Sequence, residues 1–202
     1  MRAWSRSAPP GGRDVLLLVA AVVAVVALVP LWGGRYSALT ELRFRQIWLV
    51  PAAFVLQFLI MAVLEFDSPV VAPVLHLVTY AMVGAFVVLN RSVRWLWVVG
   101  LGWASNTLVI AANGGVMPTS ESAARTLDRE PSSTFENSAV LDDPRLIVLG
   151  DVIVGPAWLP FRNAYSIGDV LLLVGMVLVV YSASRRPVAV SADDRAPASD
   201  RP

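Results

Sequence analysis

Five apolar stretches, separated mostly by short polar connections, constrain this chain more than any other feature of its sequence. They cover about residues 15–32, 47–64, 70–89, 95–112 and 164–184. Each approaches the roughly 20 residues that cross a hydrocarbon layer of about 30 Å at a rise of about 1.5 Å per residue. The pattern predicts an all-α fold, a polytopic membrane helix bundle of about five transmembrane helices.

The composition agrees with lipid as the expected solvent. Hydrophobic residues make up 56% of the chain and charged residues 15%, with a mean hydropathy of +0.65, which lies well outside the average for soluble domains. A net charge of +1 gives no reason to expect a nucleic-acid partner. Because there is no cysteine and one histidine, we expect no metal site and no cofactor.

The remaining segments divide the chain further. Residues 1–14 form a predicted amino-terminal tail, and residues 185–202 a tail whose composition predicts disorder. Residues 113–163 form a predicted polar outer loop, which we expect to be solvated and mobile. Within it, Asp143-Pro144 is typical of a helix N-cap followed by a first-turn proline. The apolar residues 146–160 that follow are too few to span a membrane, and predict a re-entrant or an interfacial segment.

Arginine placement predicts the orientation in the membrane. With the amino terminus outside, seven arginines lie inside near the ends of spans, whereas the opposite orientation places four there. The seven are Arg35, Arg43, Arg45, Arg91, Arg94, Arg185 and Arg186. We therefore expect a multi-pass cell-membrane protein with its amino terminus outside and its carboxyl terminus inside. Four tryptophans would then gather at the inner interface: Trp32, Trp48, Trp95 and Trp97.

An acidic residue stands at the mouth of the last apolar stretch, in the sequence YSIGDVLLLVG, and needs an explanation. Only 15 residues separate Asp169 from Arg185, about 22 Å of helix, so we expect the last helix to begin before Asp169, near Ala164. Ser166 and Asp169 match a capping box, which would account for the acid through local structure alone. A carboxylate at membrane depth is also a candidate functional group. Both interpretations stay open.

The Gly-Asp-Val sequence at Asp169 also occurs at Asp151, eighteen residues earlier. If the two carboxylates approach closely, repulsion raises one pKa, so that one is protonated and the other ionised. A pair of this kind activates water in aspartyl hydrolases, and Asp151 and Asp169 are therefore the candidate catalytic residues. The alternative is that each accepts hydrogen bonds from separate loop amides or pairs with Arg145 or Arg162.

Polar residues near the end of the fourth stretch are candidates for positioning a substrate. Asn113-Gly114-Gly115 is also an ordinary helix stop. Asn106 shares a helix face with Asn113, and a bond between helices is the competing role for this amide. Among the spans, Gln57, His76 and Tyr80 are expected to bond across helices.

In combination, NGGVMP at 113–118, Gly150-Asp151 and Ser166-x-Gly168-Asp169 resemble an uncharacterised family of small bacterial multi-pass membrane proteins. Residues 165–169 and the following apolar run are also distantly similar to the last helix of lipoprotein signal peptidases. That likeness implies hydrolysis with Asp151 and Asp169 as the acidic pair.

The leading interpretation is an integral cytoplasmic-membrane protein, accessory or interaction-based, with an outward-facing polar pocket. Its expected partners are the lipid bilayer and another membrane protein or a peptide. The alternative is an aspartyl peptidase-like intramembrane hydrolase.

Overall fold

The computed structural model describes residues 20–62, 70–128, 138–158 and 162–185. The predicted amino-terminal tail, residues 15–19 and 63–64 of the first two predicted stretches, residues 129–137 and 159–161 of the predicted loop, and all but the first residue of the predicted disordered tail lie outside the described residues. The last two residues of the predicted re-entrant or interfacial segment 146–160 are therefore among them.

Helices dominate the described chain, and the apolar ones fall within the predicted stretches. They are α1 (Ala20–Trp32, closing in the 3-10 turn Val29–Trp32), α2 (Tyr36–Leu39), α3 (Leu49–Ala62), α4 (Val71–Leu89), α5 (Leu96–Ala112), α6 (Glu121–Thr126) and α7 (Ile167–Ser184). Two of them, α4 with 19 residues and α7 with 18, are long and apolar enough to cross a membrane. α1, α3 and α5 are apolar but shorter in the described residues, so the count of five spans stays a prediction.

The last helix begins later than predicted. Ala164–Tyr165 forms the short strand β4, which pairs antiparallel with β3 (Ile153–Val154), and the helix starts at Ile167. The expected start near Ala164 is therefore wrong. Eighteen residues give about 27 Å of helix, so α7 comes close to the length needed to cross a hydrocarbon layer without an extra turn. Asp169 consequently lies in the first turn of α7, not a turn and a half inside it.

The described part of the predicted loop at 113–163 contains regular structure, whereas its mobility stays a prediction. Met117–Pro118 (β1) pairs in parallel with Ser138–Ala139 (β2), and Ile147–Leu149 forms a 3-10 turn. Asp143-Pro144 does not cap a helix, because the chain there makes bends and the 3-10 turn follows Leu146 in a left-handed conformation. We call residues 113–128, 138–158 and 162–165 the cap.

The closest helix packing joins α5 and α7. A Cβ atom built at Gly102 would lie 2.7 Å from the backbone nitrogen of Leu172, and one built at Gly175 would lie 2.6 Å from that of Val99. Small residues at such contacts allow two backbones to approach, which is a common basis for helix association in membranes. The pairings run in opposite directions along the chain, so α5 and α7 are antiparallel.

The antiparallel packing gives the bundle two distinct ends. The cap lies where α5 ends and α7 begins. At the opposite end, the backbone nitrogen of Arg35 donates to the carbonyl of Ser184 at 2.9 Å, and Trp32 Nε1 donates to Ser184 Oγ at 3.1 Å. We call this the arginine end, because six of the seven arginines expected inside belong to it: Arg35, Arg43, Arg45, Arg91, Arg94 and Arg185.

Candidate functional site

Ser166 and Asp169 form a capping box at the start of α7. The Ser166 hydroxyl accepts the backbone N–H of Asp169 at 2.9 Å, and Asp169 Oδ2 accepts the backbone N–H of Ser166 at 2.9 Å. Two of the amide groups that a helix start leaves without intrahelical partners are satisfied in this way. The capping interpretation of this acid is therefore confirmed.

The same two residues also connect α7 to α5 through Asn106. The Asn106 side chain donates from Nδ2 to Asp169 Oδ1 at 2.8 Å, and its Oδ1 accepts the Ser166 hydroxyl at 2.9 Å. Asn106 is 3% exposed and Ser166 is fully buried. Each oxygen of the Asp169 carboxylate thus accepts a hydrogen bond within the protein, and Asn106 bonds two helices together, the competing role considered for it.

Gly168, between the two capping residues, allows this contact. A Cβ atom at this position would overlap Asn106 Oδ1 and would lie 2.8 Å from the carbonyl oxygen of Gly102. Real side chains do not approach so closely, so any larger residue must displace α7 or rotate the amide. Each specified residue of the Ser-x-Gly-Asp motif therefore has a structural role. Ser166 caps the helix, Gly168 allows the close approach to α5, and Asp169 accepts hydrogen bonds. We call Asn106, Ser166, Gly168 and Asp169 the polar joint.

Asp151 lies in the cap, where it is 7% exposed. Its backbone N–H donates to the carbonyl of Pro118 at 2.9 Å, and its carboxylate accepts the Ser138 hydroxyl. Thr119 Oγ1 lies 2.7 Å from Ser138 Oγ; because Ser138 gives its one hydrogen to Asp151, Thr119 is the donor in that bond. This chain of three side chains holds β1, β2 and the Asp151 backbone together.

The hydrogen bonds described above give the two aspartates partners in different elements. Asp169 bonds to α5, whereas Asp151 bonds to the residues of β1 and β2. A water-activating pair of the two acids therefore stays a prediction, and the contacts found belong to the competing interpretation of separate partners. The partners themselves were not predicted. Arg162, one of the two arginines considered as a partner, donates from Nε to the carbonyl of Gly155 at 3.1 Å.

Asn113, predicted to position a substrate, has its side chain engaged within the protein. Its Nδ2 donates to the carbonyls of Val109 at 2.7 Å and of Arg145 at 2.8 Å, while its Oδ1 accepts the Arg145 backbone N–H at 2.8 Å. The amide therefore pairs with both polar groups of the Arg145 backbone, as a neighbouring strand would. This contact fixes the segment 145–150 against the end of α5.

The same arrangement recurs at the arginine end. Asn90 ends α4, donates to the carbonyls of Phe86 and Arg45 at 2.8 and 2.9 Å, and accepts the Arg45 backbone N–H at 2.7 Å. The backbone angles of Asn90 (φ −111°, ψ 18°) and Asn113 (φ −112°, ψ 28°) nearly coincide. We call each pairing an asparagine clasp.

The glycines after Asn113 turn the chain from α5 into the cap. Gly114 and Gly115 have φ of 70° and 95°, where a side chain is disfavoured. A Cβ atom at Gly115 would also lie 2.6 Å from Cβ of Pro73. The carbonyl of Gly115 is 2.7 Å from His76 Nδ1, and since a carbonyl can only accept, Nδ1 carries the hydrogen. Both glycines thus have a conformational role.

Of the three polar residues expected to bond across helices, Gln57 does so, whereas His76 contacts the cap and Tyr80 in its own helix. Thr79 Oγ1 donates to Gln57 Oε1 at 2.9 Å, which joins α4 to α3. His76 joins α4 to the cap through Gly115, and the rings of His76 and Tyr80 meet edge to face at 5.2 Å. Among the residues that the structure describes, no group of three or more acidic or histidine side chains is arranged to hold a metal ion.

Sequence reasoning missed Ser138 and Thr119. Both are polar residues in a segment that was expected to be mobile, and no spacing connects either of them to Asp151. The only available signal was Asp151 itself, because a carboxylate among apolar neighbours requires a partner.

Comparison with known proteins gives a family but no activity. A curated uncharacterised protein from Thermotoga maritima is 23% identical over 159 residues, covering 78% of this chain and 86% of that protein. No solved structure matches the chain. The family model that matches is described as a family of unknown function and covers residues 41–181, which include the polar joint, both clasps and Asp151. The expected resemblance to an uncharacterised family is confirmed, and the chain belongs to the DUF5317 family of unknown function.

Proposed function

We propose that this chain is an integral cytoplasmic-membrane protein with an accessory, interaction-based role, and that its cap is the part presented to a partner. The observation that carries the proposal is that the polar residues of its motifs direct their hydrogen bonds inward. The polar joint, the Asn113 clasp and the Asp151 contacts all fix the cap to the bundle. A rigid cap preorganises a surface for binding, which lowers the entropy cost of association.

The exposure of the long helices supports a lipid environment. Only 22% of an apolar stretch of 18 residues in α4, and 28% of the 18 residues of α7, are buried, whereas the core helix of a soluble protein is mostly buried. The residues left exposed include large apolar side chains: Val71, Val74, Val78, Val88, Val170, Leu173 and Val174. Apolar surface of this extent is unfavourable in water and is matched by hydrocarbon.

The two ends of the bundle support the predicted orientation. Six arginines belong to one end, which by the positive-inside rule would face the cytoplasm. Trp48 and Trp97 are also at this end and more than half exposed, as expected for interfacial anchors. The cap would then face outward, and the polar side chains from which an outward-facing pocket was predicted have hydrogen-bond partners within the protein.

The alternative is an aspartyl peptidase-like hydrolase that uses Asp151 and Asp169, with Asn106, Asn113, Gly114 and Gly115 positioning its substrate. It stays a prediction, and no contact described above favours it over a structural role for the same residues.

Photocrosslinking in intact cells tests the accessory role. A photoreactive residue replaces Arg125, exposed on α6 in the cap, and in a matched variant replaces Arg91, exposed at the arginine end. We expect a discrete adduct from position 125, identified by mass spectrometry and recovered reciprocally from the identified partner. It should weaken when Asn113→Ala loosens the cap. Absence of an adduct at 125, or equal adducts at both positions, would contradict the proposal. A peptide adduct that accumulates in Asp151→Asn and Asp169→Asn cells as an uncleaved species would favour the hydrolase.

A further inference from the structure

Residues 146–158 of the cap expose large apolar side chains although several of their backbone groups are hydrogen-bonded to the rest of the protein. Leu146, Val148, Ile153 and Trp158 are 47%, 69%, 42% and 80% exposed. Single apolar residues on a surface need no explanation, but four large ones within thirteen positions call for one, because grouped apolar surface is typical of interaction sites. We infer that this surface lies in the interface between lipid headgroups and acyl chains, as a monotopic docking surface beside the spanning helices. The inference rests on the proposed membrane location.

The segment is held at the level where the spanning helices end. Its beginning is fixed to the end of α5 by the Asn113 clasp on Arg145. Near its end, β3 pairs with β4, which is followed directly by Ser166, the N-cap residue of α7. Because α7 is about 27 Å long against a hydrocarbon layer of about 30 Å, its first residue lies close to the hydrocarbon boundary. Residues 146–158 lie near the same boundary.

Backbone geometry argues against a position deeper in the hydrocarbon. The segment consists of a 3-10 turn of three residues, a strand of two residues and connections without regular structure. Such backbone leaves polar groups that only water or headgroups can satisfy, so lipid-exposed segments of this kind do not enter the acyl core. The side chains, in turn, argue against a position in bulk water. The interface between headgroups and acyl chains solvates the polar backbone groups and the apolar side chains alike, and tryptophan is enriched there.

Charge and the exposed apolar residues of α7 favour lipid over a protein partner as the occupant. Arg145 and Arg162, at the two ends of this stretch, are both exposed and can extend toward headgroup phosphates with their stems along apolar surface. Two apolar side chains in the first turn of α7, Ile167 and Val170, are also 40% and 45% exposed. The nearest exposed acidic residues before Arg145, Asp142 and Asp143, lie outside the segment 146–158, between it and β2 in the sequence.

Site-specific labelling tests the inference, and the absence of cysteine from the chain makes single-cysteine variants direct. The full-length protein carries one environment-sensitive fluorophore at Trp158→Cys or Val148→Cys, the second variant keeping Trp158 in place. Ser122→Cys, exposed on α6 in the cap, is the matched control for water, and Val174→Cys, within α7, is the control for hydrocarbon. Each protein is reconstituted in phosphatidylcholine vesicles containing lipids with a quencher near the headgroup or deep in the acyl chain.

We expect the labels at 158 and 148 to be quenched at least twofold more by the shallow quencher than by the deep one, and to be protected from aqueous iodide. Stronger quenching by the deep lipid would make the segment re-entrant and overturn the inference. Iodide access equal to that at 122, or protection from iodide without quenching by either lipid, would place the surface in water or against protein, and would also overturn it. If the label at 174 is reached by iodide, the membrane location itself fails. If only the labels at 148 and 158 fail, the proposed function stands.

Discussion

Replacing Gly168 by alanine tests whether the polar joint sets the distance between α5 and α7. The added methyl group would overlap Asn106 Oδ1 and approach the carbonyl oxygen of Gly102. Overpacking of this kind costs about 1–3 kcal/mol. If Asn106 rotates away instead, its buried amide loses partners in Asp169 and Ser166, at about 1–3 kcal/mol. Alanine recovers about 1 kcal/mol through its higher helix propensity.

Because the overlap with Asn106 Oδ1 is severe, we take the upper end of these ranges, and after the gain in helix propensity we expect a net loss of about 2 kcal/mol in the free energy of unfolding. The measurement is reversible unfolding of the full chain in bicelles, followed by tryptophan fluorescence. Gly100→Ala in α5 is the matched control, because its added methyl group would meet only Val87 Cγ1, at 3.1 Å, and we expect a change within about 1 kcal/mol of zero.

A double-mutant cycle makes the mechanism specific. In an Asn106→Ala background the overlapping amide is gone, although the Gly102 carbonyl remains, so the Gly168→Ala penalty should shrink by about 1 kcal/mol or more. A penalty below about 0.5 kcal/mol in the natural background, or one unchanged by Asn106→Ala, would refute this account of the joint.

Three further predictions concern the cap. Asn113→Ala removes three hydrogen bonds and should speed amide hydrogen exchange at 145–150 at least tenfold, as measured by mass spectrometry; equal exchange would show that the clasp does not hold this segment. Gly115→Ala forces a side chain into a left-handed conformation against Pro73 and should cost at least about 1–2 kcal/mol in the same unfolding assay; no loss of stability would contradict the assigned turn. Asp151→Asn exchanges a charged acceptor of the Ser138 hydroxyl for a neutral one and should lower the free energy of unfolding by about 1 kcal/mol. Ser138→Ala should show a similar loss. A loss for one variant alone would mean that this hydrogen bond is not what stabilises the cap.

The apolar helices were largely predictable from the sequence. α4 begins one residue after the predicted start at 70 and ends at the predicted Leu89, and α5 likewise begins one residue inside its predicted stretch. Long apolar runs have few alternatives to helix in lipid, because every backbone group must be satisfied within the segment. The start of α7 was misplaced because span length was weighed above the capping signal at Ser166, which alone locates the helix start correctly.

The cap was not predictable because its contacts join segments far apart in sequence. Ser138 and Asp151 are thirteen residues apart, and Asn113 and Arg145 are 32 apart, without a periodic pattern to connect them. The serine, proline and acidic content of the loop suggested solvation. A few buried side-chain bonds outweighed that composition. Asn106 shows the converse case, because burial of an amide among apolar neighbours already demanded a partner.

The asparagine clasps have an evolutionary consequence. Each asparagine contacts the peptide group of its arginine, and the side chain at 45 or 145 takes no part in the pairing. Nineteen of the genetically encoded residues would present the same N–H and carbonyl; only proline lacks the donor. Charge at these two positions is therefore free to vary by mutation without altering the fold, so selection can tune the electrostatics of either end of the bundle independently of its architecture.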